Sequence, residues 1–347
     1  MSQGWRFVLV LFASAALAHW AGLPARAEDQ SAQAEIPPTA EGTASPPSAA
    51  SPEKYKLEFK FRRNQVVHQE ISHEFQLTTN KNQDTETARN STKSKRHYRV
   101  MAVDAKTGIA ELELTIDWVH MLASFDKGDG TPTEPIEFQS DDPNKHPKKF
   151  GDILSSIGKH DRRCFSPTGA PVKTPPVGPR RPEPAVTNGT DGALEAHLFP
   201  LPEQAVAIGE SWKERSDVRV KDDQQNLVRI TLQRTYKLTE VKNGRAFIDY
   251  RTVILTPIQI PAVAAQFIER EITGKIEFDI EQGLIVLREW SVDKTIVGAV
   301  GANSSMRANS HYREKLLGSE ATGDRAGKDR PGKDQPAKIV PASSTKK

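Results

Sequence analysis

The chain has 347 residues, 48 of them basic and 45 acidic, and a single cysteine, Cys164. The charges nearly cancel, leaving a net +3, which excludes the long-range field expected of a nucleic-acid binder. One thiol excludes an internal disulfide, so the fold must rest on its hydrophobic core.

Residues 1–27 read as a secretory signal. Arg6 precedes an apolar core from Phe7 to Ala18, and Ala25-Arg26-Ala27 supplies a small-x-small cleavage pattern. That core is short of the roughly 20 residues that cross a bilayer, so no transmembrane segment is expected in the mature chain. No cysteine follows it and no Arg-Arg pair precedes it, which argues against lipid attachment and the twin-arginine route. Export to the periplasm, cell surface or medium is the expectation, with cleavage near Ala27. Residues 28–53 are rich in Ala, Pro and Ser and read as a disordered linker, and residues 316–347 as a disordered charged tail.

Between 54 and 315 the hydrophobic period is two, the mark of strands with one buried face. Tyr55, Leu57, Phe59 and Phe61 alternate with Lys56, Glu58 and Lys60. Val67, Ile71, Phe75 and Leu77 share a face, and Leu112, Leu114, Ile116 and Trp118 share another. One helical stripe interrupts them: Phe150, Ile153, Leu154 and Ile157, between Pro147 and Gly158, predict a helix over 147–158 that covers the sheet. A Pro- and Gly-rich loop, 166–194, then separates a half at 54–165 from a half at 195–315.

In the second half, Val228, Ile230, Leu232, Tyr236 and Leu238 alternate, followed by Ala246, Ile248, Tyr250 and Ile254. The stretches 96–112 and 234–248 share Arg-x-Tyr, then an aliphatic residue, a turn and Gly-x-Ala, which predicts one hairpin used twice. From Ile268 the apolar residues Ile272, Ile276, Phe278 and Ile280 alternate with Glu269, Glu271, Glu277, Asp279 and Glu281, as on one long strand with a wet acidic face. Arg270 and Gly274 fall on its apolar side, and Gly274 predicts a bulge or sharp bend. Exposed carboxylates about 7 Å apart along a strand lack the apolar setting that general acid–base chemistry needs.

Other candidates for chemistry carry little. His68 and His73 point to opposite faces of one strand, and with His97 and His120 they show no metal-ligand spacing, so no metal site is expected. Cys164 lies beside Arg162 and Arg163 but has no accompanying hydrolase motif, and a small core role is expected for it. No phosphate- or dinucleotide-binding glycine pattern is present, and no cofactor is expected.

The segment LFPLPEQAVAIGESWKE, 198–214, followed by RTYKL, NGRAFI and GKIEFDIEQGLI, resembles a family of uncharacterised secreted β-rich bacterial proteins of the planctomycete type. Its matching positions are structural: Gly209, Trp212, Phe278 and Gly283. A looser likeness is to the half-barrel lipoprotein carriers of the bacterial envelope, which implies a curved sheet that holds acyl chains. The expectation is therefore a mainly β protein, a curved antiparallel sheet or half-barrel of about ten strands in two related halves, with one covering helix. Its expected role is non-enzymatic, binding a lipid or an envelope protein, with Phe59, Phe61, Phe75, Trp118, Tyr236 and Phe278 as candidate contacts on the concave face. A cell-surface scaffold is the alternative, and a hydrolase the less favoured one.

Overall fold

The computed structural model describes residues 53–126, 133–172, 198–221 and 227–321. The expected signal, the linker up to residue 52, most of the Pro-rich loop and the tail from residue 322 lie outside the described residues. The strands are β1 (Lys54–Tyr55), β2 (Gln65–Lys81), β3 (Asp84–Val103), β4 (Ala110–Asp126), β5 (Ile136–Gln139), β6 (His160–Phe165), β7 (Pro171–Val172), β8 (Val206–Ala207), β9 (Ser211–Lys221), β10 (Leu227–Lys242), β11 (Arg245–Ile254), β12 (Thr273–Asp279), β13 (Leu284–Val297) and β14 (Ser304–Ala321). β14 thus continues past residue 316, where the charged tail is expected to begin.

Twelve of the strands form one antiparallel sheet in the order β7-β6-β4-β3-β2-β14-β13-β12-β11-β10-β9, with β5 beside β4. Its end strands do not pair with each other, so the sheet stays open. β1 and β8 form a separate two-stranded ribbon. The mainly β, curved antiparallel architecture expected from period-two alternation is what forms. Register shifts in the β2–β14, β3–β4, β10–β11 and β12–β13 ladders supply curvature, because each extra residue bends its strand and increases the local twist.

The strands before and after the Pro-rich loop belong to one sheet and meet where β2 pairs with β14, Gln65 opposite Ala321 and Lys81 opposite Ser304. The repeated hairpin is visible in the ladder itself. In β3–β4, Tyr98 faces Leu114 and Val100 faces Leu112, and then Met101 is bulged out; in β10–β11, Tyr236 faces Tyr250 and Leu238 faces Ile248, and then Thr239 is bulged out. The bulge therefore falls at the same step after each Arg-x-Tyr. The second hairpin closes through Asn243-Gly244, whose φ values of 52° and 73° suit a tight two-residue turn.

Strand alternation gives the sheet an inner face carrying the core and an outer face that is mostly wet. Two straps close one end of the inner face. The expected strand at 55–61 is the first: only Lys54–Tyr55 joins a ladder, and the chain beyond crosses the sheet with Leu57 and Phe59 buried. Phe59 N donates to Pro167 O at 2.7 Å. Alternation survives because one side of the strap faces the sheet and the other faces water, the same two environments a strand meets. At its crossing, Gly283 (φ 66°) is required, since a Cβ there would lie 2.7 Å from Lys60 Cβ. The second strap, 198–207, buries Leu198, Phe199 and Leu201. Trp212 Nε1 donates to Pro200 O at 2.8 Å and anchors it. Each such apolar side chain contributes about 1.5–3 kcal/mol when buried.

The opposite end of the inner face is covered by a lid, residues 255–272, containing a short helix, Pro261–Ala265. The long strand expected from Ile268 begins only at Thr273; Ile268 and Ile272 are buried by the lid's turn rather than by a ladder, which reproduces the alternation. A third cover, expected as one helix over 147–158, is a tight turn at Lys148–Phe150 followed by a helix, Gly151–Ser156. Phe150 and Ile153 pack on Val119, Met121 and Phe138, whereas Leu154 is exposed. Trp118 is also corrected: Lys95 faces Trp118 and Arg96 faces Ile116, so Asp117 is bulged out and Trp118 turns to the outer face, where its Nε1 donates to Asp141.

Candidate functional site

The inner face holds three zones. Under the straps, Phe59 packs edge-on against Phe278 and Phe199, at centroid distances of 5.5 and 5.9 Å, and Trp212 stacks on Tyr236 at 5.5 Å. Phe59, Tyr236 and Phe278 are fully enclosed, and Phe61 stacks on Phe59 at the edge of this cluster. Of the six aromatic residues singled out from the sequence, four therefore belong to the strap end. Trp118 lies on the outer face, and Phe75 alone lies beneath the lid.

A buried polar belt crosses the middle. Glu314 on β14 is 0% exposed. Its carboxylate accepts from Gln69 Nε2 at 2.6 Å, from Tyr312 OH at 3.0 Å and from Arg288 Nη2, and Arg96 Nη2 lies 3.2 Å away. Further along, Arg234 Nε donates to Thr252 Oγ1 at 3.0 Å, its guanidinium lies over the Tyr250 ring, and Tyr236 OH donates to Glu214 at 3.2 Å. Burial raises the phenol pKa of Tyr98, Tyr236, Tyr250 and Tyr312, so all four stay neutral donors. Gly274 lies under this belt because a Cβ there would stand 2.7 Å from Tyr250 Cζ and 2.8 Å from Trp290 Cβ. The close approach of the Glu289 carbonyl to such a Cβ, together with the Tyr250 ring, explains this glycine without a break in the strand.

The third zone lies under the lid. Phe75, Leu77, Ile296, Met306 and Ala308 form one apolar patch with Ala265 and Ile268, and Ile230 and Leu232 form another with Val263 and Phe267. Between the patches, Glu269 is enclosed on the lid's underside, and burial pushes its carboxyl up to about 7 against a hydrogen bond from Ser310 and the charge of Arg270. His73 Nε2 is 2.8 Å from Ser310 Oγ and 3.9 Å from Glu269 Oε1. Of the eight large apolar side chains exposed among the described residues, four, Leu227, Leu255, Ile260 and Val297, stand at this lid end of the sheet. Of the residues in the belt and under the lid, only Phe75 and Tyr236 are among the contacts expected from the sequence. The available signals were Arg288 and Glu314 at core parity of their strands, and Arg270 at an apparently apolar position.

Other residues lie elsewhere. The expected acidic strand face holds only from β12 onward, where Arg245 pairs with Glu277 at 3.4 Å and Asp279 accepts from Gln282 N; Glu269, expected on the same wet face, is instead enclosed because the lid turns before the strand begins. Cys164 faces Glu111 and Val172 across its ladders, and burial with the Glu111 charge pushes its thiol up to about 11, which disfavours a thiolate. On the outer face, an open groove of about 530 Å³ is lined by Lys237, Asp249, Arg251, Lys275, Glu289 and His311, among others.

Residues 190–285 match the model of a family of unknown function, DUF6263. This stretch spans the 198–214 segment, the second Arg-x-Tyr hairpin and the lid. No curated protein matches the chain. Among solved structures, a lipovitellin described for its lipid–protein interactions aligns over 77% of this chain at 12% identity with a TM-score of 0.45. This chain spans only 26% of that one. The Pseudomonas aeruginosa OccK7 aligns over 74% of this chain and 99% of its own, at 8% identity and a TM-score of 0.26. A DUF1329 family protein from Desulfovibrio piger aligns over 74% of this chain and 87% of its own, at 8% identity and a TM-score of 0.14. Scores this low carry nothing about function. Among the described residues, no helix is long and apolar enough to cross a membrane.

Proposed function

We propose that this chain is an exported, non-catalytic binding protein of the cell envelope that takes a hydrophobic chain, such as a lipid acyl chain, between its lid and the apolar end of its sheet. One observation carries the reading. The apolar patches around Phe75 and Met306 and around Ile230 and Leu232 are covered by a crossing segment with one five-residue helix, not by another sheet. Val263, Phe267 and Ile268 occupy the volume an acyl chain would fill, and such a short helix derives its stability from packing, so it can yield to a competitor that buries the same surface. The exposed apolar rim at the same end gives a route of entry, and Glu269, Arg270 and His73 offer polar partners for a headgroup.

Purification without detergent from a bacterial periplasm, followed by native mass spectrometry and titration with a fluorescent fatty acid, tests this reading. The expected result is saturable binding that is lost in Met306→Lys, with the circular-dichroism spectrum preserved, and kept in Lys237→Ala. No binding of fatty acid or phospholipid sinks the carrier reading. The outer groove beside Gly274, with charged residues of both signs on its walls, then favours the second reading, an interaction module for an envelope protein.

A further inference from the structure

Away from the inner face, β2, β3 and β4 bring two imidazoles and a carboxylate together. His68 and His97 stand directly opposite each other in the β2–β3 ladder, with ring centroids 5.5 Å apart. Asp117 is the residue bulged out of the β3–β4 ladder, and its two carboxylate oxygens lie 2.8 and 2.9 Å from His97 Nδ1. One donor atom from each of the three residues falls within 4.8 Å of the other two.

Bonds of 2.0–2.1 Å in tetrahedral geometry set donor atoms about 3.3 Å apart. The His97–Asp117 contact therefore needs to open by about half an ångström, with the ion replacing the shared proton. His68, which is partly exposed, moves in by a small side-chain rotation. Its other flank is clear: Gly318 faces it across the β2–β14 ladder, and a side chain there would meet nothing within 4 Å. Of the two cations that flank His97 along β3 on this face, Lys95 and Arg99, Lys95 is drawn aside over the Trp118 ring at 5.8 Å, and Arg99 stands opposite Glu113 in the β3–β4 ladder. Two imidazole nitrogens with one carboxylate suit a transition ion rather than calcium or magnesium, which prefer all-oxygen shells.

We propose that His68, His97 and Asp117 form a surface site for a divalent ion of the zinc and copper class, with a fourth position open to water. The site is independent of any ligand under the lid.

The test is calorimetric titration of Zn²⁺ into the untagged, chelator-treated full chain. Saturation at about one ion per chain is expected, with His68→Ala, His97→Ala and the conservative Asp117→Asn each weakening binding by about tenfold or more. His311→Ala, on the outer face of β14, is expected to leave binding unchanged. Melting curves without the ion establish that each variant is folded, and Asp117→Asn serves as the decisive variant should a histidine replacement disturb β2 or β3. No binding heat, or the same stoichiometry and affinity in Asp117→Asn and in the His68→Ala/His97→Ala double variant, overturns the proposal.

Discussion

Replacing Glu314 with Gln is expected to lower stability by about 3–5 kcal/mol, the largest effect of any single polar substitution in the sheet. Glu314 is completely buried and serves Gln69, Tyr312, Arg288 and Arg96 at once. Gln retains the volume and one acceptor but removes the charge that compensates two guanidinium groups, both themselves largely enclosed. Leaving buried cations uncompensated costs far more than the intact network contributes. Urea unfolding at neutral pH measures the effect as a lower midpoint with an unchanged slope. Replacing Arg96, Arg288 and Glu314 together with Met, Met and Leu should recover most of the loss, because an apolar core of similar volume has no charge to desolvate. A single Gln variant as stable as the parent would show that the belt is not a coupled network.

Glu269→Gln has the opposite sign and depends on pH. Burial holds the Glu269 carboxyl at about 7 in the folded chain, against an ordinary 4.5. The folded state thus favours the protonated form, so its stabilising contribution is complete below pH 4.5 and is lost as pH rises through 7. A displacement of that size corresponds to about 3 kcal/mol at pH 8. Gln mimics the neutral carboxyl, so the variant should match the parent at pH 4 and melt roughly 6–12 °C higher at pH 8. The same ionisation loads a charge onto the underside of the lid, so exchange of a ligand beneath it should be faster at pH 8 than at pH 5. Equal melting temperatures of variant and parent at both pH values would contradict this account of the lid.

Much of the sheet is legible in the sequence because alternation reports directly on one-sided burial. Val67, Ile71, Phe75 and Leu77 on β2, and Ile230, Leu232, Tyr236 and Leu238 on β10, face inward as their spacing requires. The Arg-x-Tyr hairpins are legible for a further reason: each carries its bulge at the same step, so a sequence likeness reflects a shared backbone. Alternation cannot report what lies on the buried side. The strap at Leu57 and Phe59 and the lid turn at Ile268 and Ile272 have the same pattern as strands because they meet the same two environments. A bulge leaves no mark of its own; Asp117 is an ordinary polar residue in an alternating run, and only its cross-strand partners reveal that Trp118 has changed face. The polar belt escapes notice because Arg288 and Glu314 lie far apart in the chain and become neighbours only through the β13–β14 register.

The lid and the apolar patches beneath it are the centre of the functional account, and photo-labelling addresses them most directly. A fatty acid carrying a diazirine near its methyl end, irradiated with the purified chain and mapped by peptide mass spectrometry, should label Phe75, Leu77 and Met306 on the sheet and Phe267 and Ile268 on the lid. Excess unlabelled fatty acid should abolish that labelling. Labelling that does not saturate, or that falls on outer-face peptides containing Lys237 and His311 while the lid-covered residues stay unmodified, would contradict the account.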